Sequence, residues 1–169
     1  MHRHLARDPD EHVDRFFEDP QHLRWLTETF GRPAPRWRIP FSHHPAYCAG
    51  PEHGNDDRIL DVLVPLFDAG GVRLVLAGHE HNCRLSAAGG RTYVVSGAGG
   101  KLREQVPAGF DAARTTAWCM QAHVLLVELG EREARLTPVS GLRADGSPHL
   151  MTALTPHNHV VRPPFVVKR

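Results

Sequence analysis

The sequence predicts an α/β fold, and three observations predict it. Two stretches, one from Pro20 to Phe30 and one from Asp57 to Ala69, carry apolar residues at helical spacing. The run Val72-Arg73-Leu74-Val75-Leu76-Ala77 reads as a buried strand that starts directly after Gly70-Gly71. Two later pairs of strand-like runs are joined by short glycine-containing turns, which marks them as hairpins. With 169 residues, the chain is long enough for one domain with a real core and too short to expect two.

In chain order, residues 1–19 are a poorly defined N-terminal segment of mixed charge. Asp19 and Pro20 read as the cap and first residue of a helix whose face is Leu23, Leu26 and Phe30, and Gly31, Pro33 and Pro35 end it. Trp37–Phe41 resembles a short strand that Pro40 confines to an edge or an end. A His-, Pro- and Gly-rich loop follows over 42–55, and Asp56 or Asp57 caps the helix carrying Ile59, Leu60, Leu63, Leu66 and Phe67. After the strand at 72–77, the runs 83–85 and 92–96 pair across Ala87-Ala88-Gly89-Gly90. Residues 101–116 are irregular, and 122–129 pairs with 133–139 across Gly130-Glu131-Arg132. Residues 141–169 are expected to be extended or disordered.

Composition narrows the function. A hydrophobic fraction of 41% and a charged fraction of 23% are those of a soluble globular protein, and a formal charge of +1 offers no electrostatic case for nucleic acid or an acidic membrane. Cys48, Cys83 and Cys119 have neither metal-knuckle nor disulfide spacing and read as free thiols. No run is apolar and long enough to cross a bilayer. Taken as given, the chain reads as cytoplasmic, or as secreted or periplasmic if further sequence precedes Met1.

Histidine is over-represented at 13 residues and forms three His-x-His pairs, at 2/4, 79/81 and 157/159. Only Gly78-His79-Glu80-His81 follows a strand and a glycine that lets the chain turn. Two imidazoles there can aim at one small volume, as a metal requires, or can serve as polar loop residues that merely hydrogen-bond. The glycines 97, 99 and 100 lack the spacing of a phosphate cradle and read as a tight loop passing near the site.

Four segments taken in order, Ile39-Pro40-Phe41-Ser42-His43-His44-Pro45-Ala46-Tyr47, Glu52-His53-Gly54, Leu74–Asn82 and Tyr93–Gly99, resemble calcineurin-like metallophosphoesterases of the purple acid phosphatase branch. The resemblance covers roughly residues 20–140 and implies the C-terminal half of a metallophosphoesterase-type mixed β-sandwich flanked by helices, with the N-terminal half lacking. It implies a phosphate-ester hydrolase, a phosphomonoesterase or phosphodiesterase, that uses two divalent or trivalent ions of iron, zinc or manganese. In it His43 and His79 hold one ion and His81 the other. His53 is the catalytic histidine that binds phosphate or protonates the leaving alkoxide, with His44 and Asn82 beside the substrate. On the residues alone, the alternative readings are His43 as a loop residue beside Pro45, His53 as solvent-exposed, Asn82 as a turn cap and Glu80 as an exposed or supporting carboxylate. The family's carboxylate- and Asn-bearing motifs of the N-terminal half have no counterpart in the sequence. Consequently the second ion is in doubt, the 169-residue chain alone is expected to show little or no phosphatase activity, and an incomplete sheet edge invites self-association. The alternative is a non-catalytic metal-binding or interaction module on the same fold.

Overall fold

The structure is a computed structural model that describes residues 16–33, 36–51, 53–103 and 105–169. The segment expected at 1–19 therefore lies largely outside the described residues, as do His2, His4, His12, Pro35 and Glu52.

Helix α1 (Pro20–Gly31) is capped by Asp19, whose carboxylate accepts from the backbone N–H of Gln21, and it buries Leu26 and Phe30. The second helical stretch begins at Asp56, whose Oδ1 accepts from the backbone N–H of Arg58 and Ile59. It runs as a π-helical turn (Ile59–Leu63) into α2 (Val64–Ala69). Pro65 is the reason for the wide turn. It has no N–H to give and its ring crowds the carbonyl four residues back, so the ladder steps out and the Val64 N–H bonds Ile59 O instead. Arg38 ties the two helix ends together by donating to the carbonyls of Phe30, Arg32 and Gly70.

The strands form two sheets. Into the larger go β1 (Phe41–Ser42), β2 (Leu74–Ala77), β3 (Cys83–Ala88), β4 (Arg91–Ser96), β5 (Thr115–Cys119), β9 (Ala153–Leu154) and β10 (Val160–Val161), in the order β1-β2-β4-β3-β5-β9-β10. Pairing is parallel from β1 through β2 to β4 and antiparallel from β4 to β10. The smaller sheet runs β11-β7-β6, from β6 (Val124–Leu129), β7 (Glu133–Leu142) and β11 (Phe165–Lys168), with β8 (Pro148–Leu150) also on β7.

Alternation along the strands builds two cores. Leu74 and Val94 point toward the smaller sheet and pack with Leu85, Leu136, Met151 and Val167. Their neighbours Val75 and Tyr93 point the other way, onto Leu26, Phe30, Ile59, Leu63 and Phe67 of the helices. The layers are thus helices, large sheet and small sheet.

Both expected hairpins form, β3–β4 across Gly89-Gly90 and β6–β7 across 130–132; Gly89 and Gly90 both take positive φ, as a two-residue turn of this hand requires. Three expectations need correction. The strand at 37–41 shrinks to Phe41–Ser42, with Pro40 contributing only its carbonyl to the ladder through Leu76 N–H. Strand β5 lies partly in the stretch read as irregular; its short, mixed sequence carries no period, and its place is set by pairing with β3. Residues 141–169 are extended but paired, since β11 lies along β7 and β9 along β5. Their alternation is too short to read without the partner strands.

Candidate functional site

The site gathers where β1 and β2 end. Their parallel register, Phe41 opposite Leu76 and Ser42 opposite Ala77, brings the loops that follow them side by side, and the Gly78 N–H bonds His43 O at 3.1 Å. Ligand sites in α/β sheets favour this end of parallel strands. The first loop is pinned by its own hydrogen bonds: Gly50 N–H to His53 O, Asp56 N–H to Ala46 O, and Cys48 N–H to the Asn55 side chain. Asn55 in turn donates to Ala112 O.

The second loop turns at His79, which has φ +65°; the neighbouring glycine, expected to make this turn, does not take the left-handed conformation. That conformation throws the His79 ring among three others. His79 Nδ1 lies 3.1 Å from His43 Nε2, and the His44 ring stacks on the His79 ring at 4.2 Å. The His53 ring sits 4.0 Å away on another side. The ligand atoms of His43, His44 and His79 all fall within 4.8 Å of one another, the one such group among the described residues.

A cleft of about 410 Å³ opens beside these rings, lined by His44, His53, His79, Asp56, Asp57 and Arg58 among others. Asp56 Oδ2 is 3.8 Å from His44 Nδ1 and 3.1 Å from Arg58. Burial by itself would raise the Asp56 carboxyl, but the Arg58 side chain, the Ile59 N–H and the Arg58 charge outweigh it and hold it below its usual range. It is therefore ionised at neutral pH. Asp56 and Arg58 were not among the residues singled out by the sequence, because a helix cap already explained Asp56; only the folded loop shows that one carboxylate both caps the helix and faces His44.

His81 and Asn82 are placed differently from His43, His44, His53 and His79. His81 is half-buried with a Nδ1 that has no hydrogen-bond partner, and it lies outside the three-imidazole group. Asn82 is 1% exposed, its Oδ1 likewise unpaired, and it does not line the cleft. Glu80, read from sequence as an exposed or supporting carboxylate, is fully buried, with Arg103 at 2.9 Å. Arg84, buried beside it, donates to Cys48 Sγ and Tyr47 O. Burial pulls the Arg84 guanidinium below its usual range, against the thiol of Cys48 and the carboxylate of Glu80, which favour the charge. The glycine run near the site acts by leaving room. A Cβ on Gly97 would fall 2.1 Å from Glu80 O, and one on Gly50 2.1 Å from Glu80 Oε2. Of the other histidines, His123 is buried and bonded to Ser96 and Gln121 O, and His157 and His159 are exposed.

With the layers, the loop end and the imidazoles in place, similarity to known proteins can be weighed. The family model for calcineurin-like phosphoesterases matches residues 2–83, ending just past the His79–Asn82 turn. The relationship is of the metallophosphoesterase type. Two solved structures share this metallophosphoesterase fold. GAP50, titled the anchor in the inner membrane complex of Plasmodium, superposes with a TM-score of 0.66 at 14% identity over 95% of this chain and 45% of its own. The purple acid phosphatase PPD1 from yellow lupin (Lupinus luteus) seeds gives 0.62 at 14% identity over 83% of this chain and 29% of its own. The chain thus spans less than half the length of either neighbour. No curated protein matches the sequence.

The metallophosphoesterase relationship implies metal ions, and the residues fit one. Three imidazoles are good neutral ligands for zinc, iron or manganese, and His43 and His79 already place donors at a separation one ion can bridge. A second ion does not fit as well. The orphaned His81 Nδ1 would welcome one, but Glu80 beside it pairs with Arg103, and His81 belongs to no group of three or more His, Cys, Asp or Glu ligands among the described residues.

Proposed function

We propose that the histidine-lined cleft is the phosphate-ester site of a metal-dependent hydrolase, a phosphomonoesterase or phosphodiesterase. The observation that carries this reading is the convergence of His43, His44, His53 and His79 at the C-terminal ends of two parallel strands, beside a cleft that holds Arg58. A bound ion would supply charge stabilisation for the phosphoryl oxygens. The chain's own residues then have separable tasks. His53 stands at the cleft wall next to His79, where it can bind a phosphoryl oxygen or hand a proton to a leaving alkoxide through a ring nitrogen. Arg58 brings a cation to the same wall, held there by Asp56.

In this reading the isolated chain turns over phosphate esters weakly or not at all, since no carboxylate in the described site is placed to join two ions. The test measures inorganic phosphate binding to the zinc-loaded chain by ³¹P NMR, alongside hydrolysis of an aryl phosphate. Phosphate should bind and bind more weakly in His53→Ala, with negligible hydrolysis. No phosphate binding, or binding indifferent to His53→Ala, would sink the site assignment. Fast turnover lost in His79→Ala would keep the site but overturn the incompleteness.

A second reading, a non-catalytic metal-binding or interaction module, is favoured by the superposition of nearly the whole chain on a protein titled an anchor. Self-association belongs to this reading. Strand β1 pairs only with β2 among the described residues, and Phe41 on it is 84% exposed. Light scattering should show concentration-dependent dimers that Phe41→Lys removes; a monomer at all concentrations would count against the edge contact.

A further inference from the structure

We propose that Ser96 and His123 form a second, metal-independent site, a nucleophile and its base that take the acyl group from neutral esters of short apolar acids. This inference does not rest on the phosphate-ester reading, because the cavity it uses shares no lining residue with the histidine cleft.

Hydrogen bonding around His123 fixes its tautomer. Its Nδ1 lies 2.8 Å from Gln121 O, a carbonyl that can only accept, so Nδ1 carries the proton. The neutral ring then presents a bare Nε2, and Ser96 Oγ lies 3.0 Å from it with the hydroxyl donating. A serine hydroxyl on an imidazole whose far nitrogen is held by an acceptor is the arrangement that activates a nucleophile. The pair is held from both sides: Ser96 closes β4, and the His123 N–H bonds Ala98 O just beyond it at 3.2 Å. A buried histidine needs such partners for its own sake, so the bonds alone decide nothing.

The space beside the hydroxyl is the second observation. Ser96 and His123 both line an open cavity of about 430 Å³, where the ends of β2 and β4 meet the edge strand β6. Phe41, Leu76, Leu125 and Val127 stand among its walls, and among the described residues no Asp, Glu, Lys or Arg does. A charged phosphate ester finds no counter-charge there, whereas a neutral ester with a short apolar chain needs none.

The same wall offers a main-chain donor for the carbonyl oxygen. Pro138 O accepts the Met151 N–H on the β8 side of β7, so at this position β7 turns its polar backbone groups away from β6. Leu125, directly opposite Pro138, is therefore a non-hydrogen-bonded partner, and its N–H points out of the sheet edge.

In the reaction Ser96 Oγ bonds the ester carbonyl carbon while its proton passes to His123 Nε2 and the carbonyl electron pair moves onto oxygen. Collapse breaks the bond to the leaving alkoxide, which takes the proton from His123. Water attacks the acyl-serine by the same route, releasing a carboxylic acid and restoring the hydroxyl. A carbonyl behind the histidine stabilises an imidazolium less than a carboxylate does, so turnover is expected to be slow.

The experiment exposes the full chain, stripped of metal with EDTA, to a fluorophosphonate and to p-nitrophenyl butyrate, and locates the modified residue by mass spectrometry. Wild type, Ser96→Ala, His123→Gln and Ser140→Ala are compared, with circular dichroism and thermal melts establishing the fold of each. One phosphonyl group on Ser96 is expected, absent in Ser96→Ala and formed about 10²-fold more slowly in His123→Gln. Ser140→Ala should label as the wild type does, since that hydroxyl faces a histidine on the exposed surface. Should His123→Gln not fold, imidazole ¹⁵N shifts of the wild type carry the same question, with the proton expected on Nδ1. No labelling, labelling that survives Ser96→Ala, a wild-type rate in folded His123→Gln, a proton on Nε2, or labelling that requires added zinc overturns the proposal. None of these outcomes bears on the phosphate-ester site.

Discussion

The turn at 78–82 has two sides, and they obey different rules. On the outer side His79 joins His43, His44 and His53 around a solvent-open cleft, held there by a left-handed backbone that the ring itself does not require. On the inner side Glu80 is fully buried between Arg103, Gly50 and Gly97, with Arg84 nearby. One residue separates them. The outer groups border the cleft, whereas the inner ones pack against the loops that carry them. Alternation along the turn thus sends one side chain to the cleft and the next into the interior.

The largest effect should come from the inner side. Glu80→Ala leaves the buried Arg84 and the half-buried Arg103 without this carboxylate and should cost about 3–5 kcal/mol, seen as a lowered denaturation midpoint in urea; a loss under 1 kcal/mol would show that solvent reaches the pair. Gly97→Ala comes next. Its Cβ would collide with the Glu80 carbonyl, which is backbone and cannot swing away, so about 1–3 kcal/mol is expected, together with displacement of His79 visible as weakened metal binding.

Asp56→Ala should cost about 1 kcal/mol as a lost helix cap, and this loss carries a pH signature. Because the folded protein holds the Asp56 carboxyl below its ordinary range, its contribution is present above that range and disappears as pH falls through it. Melts of wild type and variant should therefore converge in acid, and a gap that persists unchanged there would contradict the assignment. The smallest effect belongs to the outer side. His79→Gly removes a ring and relieves a left-handed residue, so stability should stay level or rise by about 0.5–1 kcal/mol while metal binding is lost. A substantial fall in stability would mean that the imidazole cluster is itself structural.

Much of this was legible in the sequence, for reasons tied to range. Asp19-Pro20 set a helix start, Gly89-Gly90 a hairpin, and Val72–Ala77 a buried strand, because each signal acts over a few residues. The family motifs likewise marked His43, His53 and His79, and the structure gathers those three with His44. What failed to read out was decided by distant partners. Strand β5 and the pairing of β9 and β11 depend on neighbours far along the chain, and no local period announces them.

The sequence by itself determined which side chains can do chemistry here: a set of imidazoles following two strands, with glycines wherever the chain must pass close. Tertiary structure alone decided how they are grouped. It put His44 with His43 and His79 and set His81 apart, it turned Asp56 from a helix cap into the carboxylate behind a histidine, and it buried Glu80. The physical reason lies in parallel strand register and in a turn whose backbone hand sends successive side chains to opposite faces. Neither is written in any one segment, since both arise only when β1 and β2 lie side by side.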